Sequence, residues 1–99
     1  MRFMEFAMEE AIKARGAGEV PIGALVVHKD GEVISRAYNL TKTTCDPSAH
    51  AEINALRIAT SKIENNILKD YDLYVTLEPC LMCTVAISNA RIRRLYFGA

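Results

Sequence analysis

Residues 2–15 set Phe3, Phe6, Ala7, Met8, Ala11 and Ile12 at spacings of three and four, with Glu5, Glu9, Glu10 and Lys13 mostly between them. That period predicts an amphipathic helix, with Gly16 as its stop. After Gly18 and Pro21 the pattern shifts to an apolar run rich in β-branched residues over 22–27, then Lys29-Asp30-Gly31-Glu32, then a second run over 33–38. Asp-Gly between two such runs predicts a hairpin. Residues 39–46 carry Asn, Thr and Asp without a period and read as a loop. Asp46-Pro47 then predicts a helix start, with Asp46 as cap and Pro47 at the first helical position. Ala51, Ala55, Leu56, Ile58 and Ala59 continue at helical spacing, so His50 and Glu52 fall in the first turn. Residues 61–70 are polar and mixed, a helix end and connector. A short strand over 72–77, a helix over 80–89 opened by Pro79, and a strand over 94–97 complete the chain. Strand, helix and strand at this spacing predict a right-handed parallel crossover. The order α, β, β, α, β, α, β predicts an α/β fold in which helices pack on the faces of a mixed central sheet.

The chain has 99 residues, 51% hydrophobic and 24% charged, which fits one soluble globular domain over 1–99 and excludes a disordered or fibrous chain. Twelve basic residues balance twelve acidic ones, so binding to nucleic acid would have to be local. Residues 1–8 are faintly apolar, but Arg2 and Glu5 interrupt them and Glu9 and Glu10 follow, which leaves no signal core and no run of membrane-spanning length. The expectation is a cytoplasmic protein. Two of the three cysteines form a close pair, which favours metal or redox chemistry over a disulfide framework.

The chemistry concentrates in His50-Ala51-Glu52 and Pro79-Cys80-Leu81-Met82-Cys83, each at a predicted helix start. Two cysteines three apart on a helix share a face, as two thiolates on one tetrahedral zinc ion require. A helix N-terminus adds partial positive charge and free N–H groups that favour ionised sulfur. His50 from the other helix makes three protein ligands and leaves the fourth position to water, the arrangement of catalytic rather than structural zinc. Cys45 lies in the loop before the helix and reads as a filler cysteine rather than a fourth ligand. Alone, Glu52 would merely complement the helix dipole. Beside zinc, which brings the pKa of bound water to about 7, its better role is a proton shuttle from the water to a leaving nitrogen. His-x-Glu is common by chance and Cys-x-x-Cys also occurs as a redox pair; together, and with proline before the first cysteine, the two halves resemble the signature of zinc nucleobase deaminases.

On these residues the chain resembles the cytidine deaminase superfamily, and most closely the bacterial tRNA-specific adenosine deaminases. The resemblance extends over Glu19-Val20-Pro21-Ile22-Gly23-Ala24, Tyr38-Asn39, Asp46-Pro47-Ser48-Ala49-His50-Ala51-Glu52, Leu73-Tyr74-Val75-Thr76-Leu77-Glu78-Pro79-Cys80, Arg91-Ile92 and Phe97-Gly98-Ala99. It implies a three-layer α/β/α cytidine deaminase-like fold and one zinc per subunit, held by His50, Cys80 and Cys83. It also implies Glu52 as the catalytic residue, Asn39 and Ala51 as substrate-binding residues, a tRNA anticodon loop as partner, and a homodimer. It further implies that the family's chain continues past Ala99 with a strand and C-terminal helices; without them, residues 94–97 would form an unpaired edge that invites association. Thr84-Val85 depart from the very small residues usual after the second cysteine.

Three readings follow: deamination of wobble adenosine to inosine in tRNA, deamination of free cytosine, guanine or a nucleoside, or a non-catalytic zinc-stabilised module. Arg57, Arg91, Arg93 and Arg94 are candidates for a phosphate patch but read first as solvated surface. Most of the aromatic residues sit at core-like positions, and His28, near the hairpin turn, reads as a surface residue.

Overall fold

The computed structural model describes residues 2–98. Met1, at the head of the faintly apolar N-terminal stretch, and Ala99, at the end of the last matching segment, lie outside the described residues. The elements follow the expected order: α1 (Phe3–Gly16), β1 (Gly23–His28), β2 (Val33–Tyr38), α2 (Ala51–Ile63), β3 (Tyr71–Val75), α3 (Leu81–Asn89) and β4 (Arg94–Phe97). None of the described helices is long and apolar enough to cross a membrane.

The four strands form one mixed sheet in the order β2-β1-β3-β4. β1 runs antiparallel to both β2 and β3, while β3 and β4 pair in parallel, as the strand-helix-strand pattern predicts. Because side chains alternate across a strand, the two faces of the sheet build separate cores. Leu25, Val27 and Tyr74 meet Phe3, Phe6 and Ala7 of α1 on one side. Ala24, Val26, Leu73 and Val75 meet Ala51, Ala55, Leu56 and Ala59 of α2 and Ile87 of α3 on the other. β1 is buried along its length, which explains why its residues read as a continuous apolar run rather than an alternation.

Small residues set how closely the helices lie. Ala51, Ala55 and Ala59 form a fully buried stripe at four-residue spacing, and Ser35 Oγ of β2 donates to the Ala55 carbonyl at 2.8 Å. On the opposite face, a Cβ added at Gly23 would overlap the Ala7 carbonyl oxygen and come within 2.6 Å of the Ala11 backbone nitrogen. Only glycine lets α1 cross the start of β1 at that distance. At the hairpin, Gly31 has φ +102°, the left-handed conformation that Asp-Gly supplies. His28 is half-buried there rather than fully on the surface, paired with Asp30 at 2.9 Å and packed edge-on against Tyr71.

Two expected boundaries differ clearly: β3 ends at Val75 rather than at residue 77, and α2 starts late. Helix α2 begins at Ala51, not at Pro47, and its N-cap is His50. Asp46 Oδ1 accepts from Ser48 N at 2.9 Å and from Ser48 Oγ at 2.7 Å, closing a local turn in place of a helix cap. The Ala49 carbonyl accepts from Leu40 N and from Asn54 Nδ2, and this holds it away from the helical ladder.

Gly23→Ala should cost about 1–3 kcal/mol through overpacking against α1 backbone. Thermal denaturation followed by circular dichroism should show Tm falling by at least about 4 °C for a domain of this size; an unchanged Tm would mean that α1 shifts without penalty.

Candidate metal centre

β2 and β3 are both antiparallel to β1, so both end beside its first residues: Tyr38 pairs with Gly23, and Val75 with Ala24. The helices that follow these strands therefore start from one end of the sheet. His50 is the N-cap of α2 (φ −69°, ψ 156°) and Cys80 the N-cap of α3 (φ −72°, ψ 174°). Both are extended, and neither side chain caps its own helix. Their side chains turn toward each other instead.

His50 Nδ1 lies 3.6 Å from Cys80 Sγ and 3.5 Å from Cys83 Sγ, and the three donor atoms lie within 4.8 Å of one another. Zinc bonds of about 2.0 Å to nitrogen and 2.3 Å to sulfur at tetrahedral angles place N and S about 3.5 Å apart. The donors are thus already spaced as ligands of one tetrahedral ion, and one imidazole with two sulfurs is a set that suits zinc. Cys80 is exposed and Cys83 buried, so the cluster opens to solvent on one side.

The electrostatics also fit a cation. Glu52 is only 4% exposed, and its Oε1 has no hydrogen-bond partner, an uncompensated position for a buried carboxylate oxygen. Burial first, and then the neighbouring Glu52 carboxylate, push the Cys83 thiol far above its usual range. A dication between these groups reverses that balance, since metal coordination deprotonates a thiol outright.

Ala51 is fully buried at the first position of α2, and its backbone N–H has no acceptor among the described residues, the usual state of a helix's first turn. Asn39 follows β2 directly and is buried; Leu40 N donates to the Ala49 carbonyl at 3.0 Å, which joins this segment to the residue before His50. Cys45 is exposed and stands outside the cluster, its thiol 3.8 Å from the Lys42 carbonyl. Of the four candidate arginines, Arg93 is locked in a two-pronged pair with buried Asp72 at 2.9 and 2.8 Å, and Arg57 faces Asp46 at 3.6 Å. At the departure from the family pattern, Thr84 Oγ1 donates to the Cys80 carbonyl at 2.9 Å, while Val85 is exposed. Tyr96 and Phe97 are exposed on β4, apart from the aromatic residues at core-like positions.

One residue not singled out from the sequence is Glu19, buried before β1. Its carboxylate accepts from Thr43 N and Thr43 Oγ1, each at 2.6 Å, from Lys42 N at 3.1 Å and from Asn39 Nδ2 at 3.4 Å. These donors, Thr43 foremost, hold its carboxyl below the usual carboxylate range. Its partners lie 20 to 24 positions away, so no local pattern marks it.

Known proteins share this arrangement. The family profile described as cytidine and deoxycytidylate deaminase zinc-binding region matches residues 1–99. The tRNA-specific adenosine deaminase of Agrobacterium fabrum is 55% identical over 97 residues, which cover 98% of this chain and 63% of that protein. The chain therefore spans less than two thirds of that curated relative. A solved structure from studies of A-to-I editing by tRNA:A34 deaminases at the wobble position of transfer RNA superposes with a TM-score of 0.95 at 55% identity, over 98% of this chain and 70% of that one. The guanine deaminase from Bacillus subtilis superposes with a TM-score of 0.94 at 38% identity, over 98% and 62% respectively. The three-layer fold is thus cytidine deaminase-like, and with a profile match along its whole length the chain belongs to the cytidine and deoxycytidylate deaminase zinc-binding family.

Proposed function

We propose that the chain carries the active site of a hydrolytic nucleobase deaminase, holding one zinc ion through His50, Cys80 and Cys83 and converting the wobble adenosine of a tRNA to inosine. The observation that carries this reading is the tetrahedral spacing of the three donors beside a buried, unpaired carboxylate. Zinc in such a set acts as a Lewis acid that brings the pKa of water to about 7. Glu52 then takes a proton from the attacking water at its free oxygen and delivers it to the exocyclic nitrogen. The water oxygen replaces that nitrogen on the base, and the nitrogen departs as ammonia. Asn39 and the backbone N–H of Ala51 orient the base against the cluster.

Adenosine in tRNA is favoured by the 55% identity to relatives that carry that name or title. A cytoplasmic location accords with a tRNA substrate and with ligand thiols that must stay reduced. Two copies of the chain associate through an apolar face: on α3, Leu81 is 81% and Val85 51% exposed, an unusual degree for aliphatic side chains on one helix. The guanine deaminase neighbour supports a second reading, action on a free purine base, because the metal chemistry is common to both and only base contacts differ.

Metal analysis should find one zinc per chain, falling well below one in Cys83→Ser, and chelation should lower Tm because bound metal stabilises the folded state. Full zinc occupancy in Cys83→Ser would remove that residue from the ligand set. Zinc-loaded protein should form inosine in an anticodon stem-loop with a wobble adenosine, and Glu52→Gln should reduce kcat by at least about 100-fold with zinc retained. Turnover of free guanine in place of the stem-loop would select the second reading; zinc binding without turnover of any base would reduce the chain to a zinc-stabilised module.

A further inference from the structure

A buried carboxylate that is neither ligand nor core is costly unless every oxygen is hydrogen-bonded, and Glu19 meets that condition with four donors. All four belong to residues 39–43, the segment that leaves β2 toward His50. Glu19 itself is fixed from the other side: its N–H donates to the Ala14 carbonyl at the end of α1 at 2.9 Å. It stands four residues before Gly23, where the ends of β2 and β3 meet, so it lies at the same end of the sheet as the metal-binding cluster.

The contact with Asn39 has a directional consequence. A carboxylate accepts hydrogen bonds and donates none. The Asn39 amide must therefore turn its nitrogen to Glu19, and that nitrogen's other hydrogen goes to Thr41 Oγ1 at 3.1 Å. Asn39 Oδ1 accepts no hydrogen bond among the described residues. The side chain is thereby held in one of its two flip states, with its only free group an acceptor.

Resting on the deaminase reading above, we infer that Glu19 is a positioning residue of this site: it locks the Asn39 amide so that Oδ1 is presented to a hydrogen-bond donor of the bound base, and it ties residues 41–43 down beside it. Glutamine at position 19 keeps the shape but can donate as well as accept, so both flips of Asn39 become available. The effect belongs to substrate binding and passes through Asn39, whereas a loop staple unconnected with the base would act equally with or without that amide.

The test compares Glu19→Gln, Asn39→Ala and the double variant in the zinc-loaded chain. The Asn39 side-chain amide pair in a 15N-correlated NMR spectrum, assigned by its loss in Asn39→Ala, should shift and exchange faster with solvent in Glu19→Gln. On the stem-loop substrate, Glu19→Gln should lower kcat/KM about tenfold, mainly through KM, and the same change in the Asn39→Ala background should cost less than about twofold, the coupling expected of groups in direct contact. If Glu19→Gln does not fold, Thr43→Val, which removes one donor from the same carboxylate, should give the same coupled loss with smaller size. An unmoved amide pair, or equal losses in both backgrounds, overturns the inference. A wild-type chain that deaminates nothing sinks the deaminase reading instead, and the amide pair alone then decides whether Glu19 sets the orientation of Asn39.

Discussion

The fold depends on β1. It is buried along its length, holds antiparallel neighbours on both sides, and begins with a glycine on which α1 rests. Two antiparallel partners of one strand must point the same way, so β2 and β3 end together, and whatever follows them starts together. The meeting of His50 with Cys80 and Cys83 is a result of that geometry rather than of any attraction between the two segments. The small residues serve the same end: Ala51, Ala55 and Ala59 bring α2 down onto the sheet close enough for its N-cap to reach the start of α3.

Much of this was legible along the chain because it is written in local patterns. The seven elements and their order follow from changes of hydrophobic period and from Asp-Gly, and the convergence of His50, Cys80 and Cys83 follows from two short motifs. The misplaced start of α2 has a clear cause. Asp46 followed by Pro47 is as good a helix opening as the sequence contains, but Ser48 competes for the Asp46 carboxylate, and the clamp of Asn54 and Leu40 on Ala49 decides the matter. Glu19 was illegible for the opposite reason: its partners lie in a loop without any period, and only the folded chain brings them to it. The exposure of Tyr96 and Phe97 likewise depends on which strand lies at the sheet's margin, which composition does not reveal.

The charges divide into two kinds. Arg93 with Asp72, and Arg36 with Glu9 and Glu10, are oppositely charged groups in direct contact. Glu52 is different: it is buried, one of its oxygens has no partner, and it disfavours the anionic form of the neighbouring Cys83 thiol. Such an arrangement weakens the fold as it stands and is tolerable at a place made for a cation.

The pairing order also bears on the sequence of events in folding. The β1–β2 hairpin closes over a handful of residues, but β3 joins β1 only after the whole of α2 has been laid down, and His50 is 30 positions from Cys80. Contacts of that separation form late, because the loop entropy must be overcome before they gain anything. The hairpin and α2 alone carry His50 but neither Cys80 nor Cys83, an incomplete donor set. The complete set of donors comes together only when β3 has paired with β1, so occupancy of the metal site and closure of the sheet reinforce one another.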